Sequence, residues 1–318
     1  MDPDPVPAPD PATQPPEPTR PPEPSDWDLL IRDPWAGNEV LTDTGAPTGP
    51  HSSDAMHPPA DRVIVGGPED TRIAGGDGDD LLIARGGDSL LLGGNGDDTL
   101  AGGDGDDTLQ GGPGDDLLMA GAGSNLLMGQ GGDNVLLGGD GNDVLIGGAG
   151  DDHLQAGAGD DTLRGGFGDD TLRAGAGADL LFGGAGDDVL IGAVPGNDGD
   201  DVPGRNTLNG GAGDDLLILG SGDQGHGGPG EDTFVVGDWT RGDAPSVIRD
   251  YDPAEDRLVL AHSGADEPAV TVRPDPSDPS GARVFLGDSL VAEVRGNAGA
   301  LSADDILVVA AQPTTIHR

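Results

Sequence analysis

From Gly75 to Ile191 the chain repeats one nine-residue unit, Gly-Gly-x-Gly-x-Asp-x-Leu-x, thirteen times without an insertion or deletion. Clear copies run from Gly75 to Ile83, from Gly93 to Ala101 and from Gly165 to Arg173. A unit this short cannot bury its own leucine, so copies must stack on one another to make a core. The leucine column is unbroken through Leu82, Leu91, Leu100, Leu109, Leu118, Leu127, Leu136, Leu145, Leu154, Leu163, Leu172, Leu181 and Leu190.

The first six residues of the unit read as a turn, because glycine enters positive-φ conformations at little steric cost. The last three, x-Leu-x, read as a short strand whose central side chain faces opposite to its neighbours. Two units then complete a coil of 18 residues with strands on two sides. Coils stack at the usual sheet spacing of about 4.8 Å. Residues 18 apart in sequence are expected to lie above one another.

That register brings sixth-slot aspartates together as Asp80/Asp98, Asp98/Asp116, Asp143/Asp161, Asp152/Asp170, Asp161/Asp179 and Asp170/Asp188. Carboxylates beside turn carbonyls are hard oxygen donors, and Ca²⁺ takes six to eight of these. The candidate metal residues are Asp80, Asp98, Asp107, Asp116, Asp143, Asp152, Asp161, Asp170, Asp179, Asp188, Asp215 and Asp232. Ser89, Asn125, Asn134, Asn197 and Asn206 share the slot but lack the charge. Two strong blocks follow, around residues 75–116 and 140–190, with a softer zone between them. Residues 75–191 hold 23 aspartates and three arginines. Two carboxylates about 5 Å apart repel by about 3 kcal/mol at an effective dielectric of about 20. Several such pairs rival a domain's whole stability of about 5–15 kcal/mol. The array is therefore expected to unfold without calcium and to draw folding free energy from the metal.

Composition narrows the partners. The net charge of −44, with fifteen bases that are all arginine, disfavours nucleic acid and anionic membranes. The chain has no cysteine, so calcium rather than a disulfide is the expected staple. No run of about 18 apolar residues suggests a membrane span. The opening Met1-Asp2-Pro3-Asp4-Pro5 lacks the basic and apolar parts of a cleaved signal peptide. Neither a His-Glu-x-x-His zinc motif nor a Gly-x-Ser-x-Gly elbow occurs, and the six histidines are scattered. His226, beside the end of the array, is the one histidine placed to act as a ligand. Asn197-Asp198-Gly199-Asp200-Asp201 resembles an EF-hand loop only faintly and reads as a solvated loop. No catalytic constellation is legible, and the expectation is a non-enzyme.

Three regions are expected. Residues 1–62 are rich in proline and acid and read as a disordered segment, with one apolar cluster of Trp27, Leu29, Leu30, Ile31 and Trp35. Residues 63–236 form the array. Within it, 192–209 read as a bulged coil with Asn206 and Leu208 in the aspartate and leucine slots, and Leu219–His226 is one residue short. Residues 237–318 contain short strand candidates around Val247, Leu258, Val270, Val284, Val291 and Leu307 and read as a small β cap. At the outward seventh and ninth slots, Leu117, Met119, Leu126, Met128, Val135, Leu137, Val144 and Ile146 form an apolar outer patch suited to self-association or a protein partner.

The array resembles the RTX, or hemolysin-type, calcium-binding repeat proteins over roughly residues 66–236, and the nonapeptide is that family's signature. The stretch Ile248–Leu260, followed by Gly287–Val294 and Leu301–Ile306, is similar to the closing segment of serralysin-type C-terminal domains. The resemblance implies an all-β fold, a right-handed parallel β-roll with several Ca²⁺ between successive turns, held by the sixth-slot aspartates named above. It also implies type I secretion from a Gram-negative bacterium through an uncleaved C-terminal signal, and a secreted, extracellular or cell-surface location. The expected function is calcium binding coupled to folding outside the cell. The alternatives are a structural or adhesive surface protein, and a non-catalytic module derived from a secreted RTX enzyme or toxin.

Overall fold

The computed structural model describes residues 61–192, 205–240, 244–263, 268–298 and 301–310. The chain divides into a unit Met1–Glu39, outside the described residues, and a unit Val40–Arg318 that contains all of them. The proline-rich segment with Trp27 and Trp35, the loop around Asn197, and residues 311–318 also lie outside the described residues.

Alternate strands join alternate sheets. One sheet has 12 strands and the other 13, and successive strands in each are parallel through the repeats. Leu82 sits beside Leu100 in the first sheet and Leu91 beside Leu109 in the second, so the period of 18 holds as expected. The leucine column, from Leu82 to Leu190, is 0% exposed and fills the space between the sheets. Most strands are six residues long rather than the expected three, because the first three residues of the next unit stay extended, and three-residue turns such as 105–107 lead straight into the opposite sheet without helical crossovers.

The turn is possible because its second and fourth residues have positive φ. Gly94 has φ +136° and Gly96 has φ +125°. A β-carbon on Gly94 would overlap the Gly76 carbonyl oxygen of the coil below. Gln130 is the one non-glycine with positive φ among the described residues, at +92°.

Two departures from the 18-residue period are absorbed differently. Leu181 pairs with Leu208, and Leu190 with Leu217, each 27 residues away. The register thus lengthens by nine residues across a stretch of which 193–204 lie outside the described residues, and it stays in phase. Asn206 and Leu208 take the expected aspartate and leucine slots. The short repeat narrows the register to 17, as Leu217 pairs with Phe234.

The C-terminal strands add to the same two sheets. Arg257–His262 and then Ile306–Ala310 extend the 12-stranded sheet in parallel. Ser246–Tyr251 and Ser289–Gly296 extend the other, which finishes in the antiparallel strands Ala282–Leu286 and Val270–Pro274. Phe234 and Tyr251 close the core there, with ring centroids 6.3 Å apart.

The apolar outer residues are not one patch. Leu117, Met119, Val135 and Leu137 lie on the 12-stranded sheet, whereas Leu126, Met128, Val144 and Ile146 lie on the 13-stranded sheet. All are half-buried by their neighbours except Val144, which is 37% exposed.

Candidate metal centre: two carboxylate ladders

Every coil has two turns, so the sixth slots form two columns. The first edge, whose turns lead into the 12-stranded sheet, carries Asp80, Asp98, Asp116, Asn134, Asp152, Asp170, Asp188, Asp215, Asp232 and Asp256. The second edge carries Ser89, Asp107, Asn125, Asp143, Asp161, Asp179, Asn206 and Asp223. The two strong blocks expected along the sequence are therefore redistributed. Aspartate–aspartate neighbours run almost without a break along the first edge. On the second they are confined to Asp143, Asp161 and Asp179.

Each rung has one geometry. The backbone N–H of a sixth-slot residue donates to Oδ1 of the sixth slot in the next coil, as from Asp80 to Asp98 at 2.7 Å and from Asp170 to Asp188 at 2.8 Å. Oδ2 of all twelve aspartates proposed from sequence is buried without a hydrogen-bond partner. Leaving such a group unsatisfied costs about 1–3 kcal/mol, and more when it is charged. Burial, followed by the neighbouring carboxylates, pushes Asp116, Asp170, Asp188 and Asp215 up to about 7, and Asp98, Asp161, Asp179 and Asp232 up to about 6.

The orphaned oxygen faces a small cradle. A β-carbon on Gly75 would overlap Asp80 Oδ2 and lie 2.7 Å from the Gly93 carbonyl oxygen of the next coil. First-slot glycine, an orphaned carboxylate oxygen and a carbonyl from the adjacent coil recur at Gly93 and Gly183 on the first edge and at Gly102 and Gly138 on the second. This is an oxygen-only donor set of the kind Ca²⁺ prefers. Among the described residues no group of three or more Asp, Glu or His side chains converges as a metal cluster. The carboxylates instead come one per turn, and backbone carbonyls must complete any coordination shell.

The first slot differs between the edges. It is glycine through the first-edge repeats, at Gly75, Gly93, Gly111, Gly129, Gly147, Gly165, Gly183, Gly210 and Gly227. On the second edge Ala84, Ala120, Ala156 and Ala174, all buried, share it with Gly102 and Gly138.

Three features escaped the sequence reading. Asp223 and Asp256 continue the columns, with Oδ1 accepting from Asn206 N at 2.8 Å and Asp232 N at 3.2 Å. Their phase is hidden by the short repeat and by the change of pattern after residue 236. The fifth slot forms another, exposed ladder of opposite sense, in which Oδ1 accepts from the following coil, as Asp79 does from Asp97 N at 2.9 Å. On the first edge it runs unbroken from Asp61 to Asp214, which accepts from Glu231 N. The repeated Asp-Asp doublet was the available signal. His226, considered as a ligand, has Nδ1 2.9 Å from Asp250 Oδ2. Asp250 also accepts from Gly227 N and Gly228 N, so the pair fastens the end of the array.

No curated protein matches the sequence. Among solved structures the chain is similar to the extracellular lipase LipA from Serratia marcescens, at 18% identity and a TM-score of 0.22, over 86% of this chain and 42% of that one. The chain thus spans less than half of that lipase, and so slight a likeness carries no argument. The model of the RTX calcium-binding nonapeptide repeat matches residues 65–100, 92–127, 128–163, 164–193 and 203–223. RTX nonapeptide repeats bind Ca²⁺ at multiple sites, and through residues 65–223 this chain belongs to the RTX calcium-binding nonapeptide repeat family.

Proposed function

We propose that this protein is a non-catalytic calcium-binding module that folds when calcium fills its turn columns. The ligands assigned are the twelve sixth-slot aspartates, with turn carbonyls completing each shell. The observation that carries the reading is the column of buried carboxylate oxygens without partners. When bound, calcium supplies positive charge and coordination to oxygens that the protein itself leaves unsatisfied. A handful of such oxygens, at about 1–3 kcal/mol each or more, equals a typical domain stability of about 5–15 kcal/mol.

RTX repeat proteins are generally secreted, and no helix among the described residues is long and apolar enough to cross a membrane. Export by a type I system through the C-terminus, followed by folding outside the cell, accords with a calcium requirement. Sites of extracellular modules typically have affinities of about 10⁻⁴–10⁻³ M, too weak to fill in a cytosol. A surface-docking role is a second reading, favoured by the half-buried apolar columns on both sheets. Far-ultraviolet circular dichroism during a calcium titration from chelator tests the first. A cooperative coil-to-β transition is expected. A spectrum already rich in β structure without calcium would reduce the metal to an accessory ligand.

A further inference from the structure

The coil 120–137 differs from its neighbours on both edges at once. Its sixth slots are Asn125 and Asn134, and its only ionisable residue is Asp133. The amide oxygens of Asn125 and Asn134 accept from Asp107 N at 2.8 Å and Asp116 N at 3.0 Å, as aspartate Oδ1 does elsewhere. That bond fixes the amide orientation, because the flipped amide would set two donors face to face.

The NH₂ group therefore stands where aspartate has its orphaned oxygen. A β-carbon on Gly129 would lie 2.6 Å from Asn134 Nδ2, in the cradle that holds Oδ2 in other first-edge turns. Asn134 Nδ2 donates to Gly132 O at 2.9 Å and to Asp152 Oδ1 at 2.9 Å. Asn125 Nδ2 donates to Gly123 O at 3.2 Å and to Asp143 Oδ1 at 3.0 Å. In each case the donor meets a turn carbonyl and the carboxylate of the next coil, the two kinds of oxygen that a cation would hold together.

An independent feature singles out the same coil. Its outward side chains are apolar on both sheets and pair in register with apolar neighbours, Val135 with Leu117 and Leu137 with Met119 on one, Leu126 with Val144 and Met128 with Ile146 on the other. Val189 and Ile191 pair likewise with Leu216 and Ile218, but on one sheet only, since Leu180 on the other faces Thr207.

We infer that Asn125 and Asn134 replace calcium in the central coil, which is hydrogen-bonded without metal and is the first part of the roll to order as calcium rises. The inference rests on the calcium reading above, with the aspartate turns filling outward from this coil towards both ends.

Native mass spectrometry of the full chain at saturating calcium, with hydrogen exchange followed along the same titration, tests it. Asn134→Asp is expected to take up an additional calcium ion relative to the parent chain, and Asn134→Ala none. In the parent chain, amides of 117–146 are expected to gain protection at lower calcium than those of 75–98 or 207–237. Asn134→Ala is expected to remove that precedence, which covers the case in which Asn134→Asp fails to fold. Equal calcium content in Asn134→Asp and the parent chain would overturn the inference. So would protection that starts at the C-terminal strands. A parent chain that binds no calcium would instead sink the proposed function.

Discussion

The two edges of the roll share a backbone and differ in chemistry. The first presents a glycine at every cradle from Gly75 to Gly227 and aspartate at every sixth slot from Asp80 to Asp256 except Asn134. The second mixes glycine with alanine and interrupts its aspartates with Ser89, Asn125 and Asn206. The leucine core between them makes no such distinction, since Leu163 and Leu172 are both 0% exposed. Packing in this fold is therefore symmetric while its electrostatics is not. A solenoid can vary its ion-binding capacity on one edge without disturbing the core.

Proton binding offers the broadest way to break the comparison. The folded carboxyls lie above the ordinary 3.8, at about 7 for Asp116, Asp170, Asp188 and Asp215 and about 6 for Asp98 and Asp232 on the first edge, and at about 6 for Asp161 and Asp179 on the second. A folded value raised above the unfolded one favours folding at low pH. That contribution is complete below about 4 and is lost as pH rises through about 6 to 7. Calcium-free protein is therefore expected to show more β structure at pH 4.5 than at pH 7.5, with first-edge amides protected first on acidification. Identical spectra at the two pH values would remove the claim that charge is what holds the metal-free roll apart.

Core truncations sharpen the symmetric half of the comparison. Leu163→Ala and Leu172→Ala, one in each sheet, should each cost about 2–5 kcal/mol in the calcium-loaded state. Thermal or denaturant unfolding should give similar losses for both. A large inequality would mean that the core, too, distinguishes the edges.

The cradles should then separate them. Gly165→Ala places a methyl group against Asp170 Oδ2 and should cost about 1–3 kcal/mol as overpacking, and should raise the calcium midpoint. Ala174→Gly, on the other edge, should change stability by only about 0.5–1 kcal/mol. Comparable midpoints for the two variants would show that first-slot glycine has no bearing on the metal. A comparably small effect, of opposite sign, belongs to Gln130, held at φ +92°. Gln130→Gly should stabilise the roll by about 1 kcal/mol, read as a rise in melting temperature, by relieving a conformation unfavourable for a side chain.

Much of this was legible because the repeat is regular. Leu82 to Leu190, the 18-residue register and the sixth-slot aspartates follow from period alone. The edge to which Ala84 or Ala156 belongs follows from the same counting, but its meaning needs the position of Oδ2 relative to the first-slot α-carbon. Asp223 and Asp256 were missed because a repeat of eight residues and a strand pattern without glycines hide their phase. The nine residues added between Leu190 and Leu217 keep the phase because their number equals one unit. The apolar outer residues were read as a single patch because consecutive nonamers are neighbours in sequence yet lie on different sheets.

The ladder bonds have a mechanical consequence. Coils are joined in series, each to the next, with sixth-slot partners 18, 27 or 17 residues apart. Tension applied from the ends would therefore peel the roll coil by coil rather than shear it as a whole. A released 18-residue coil trades a rise of about 4.8 Å for a contour of about 60 Å. The longer coil, between Asp188 and Asp215, would release about half as much length again. Calcium would set the force at each step, and the longer coil would mark one step in the sequence by its length.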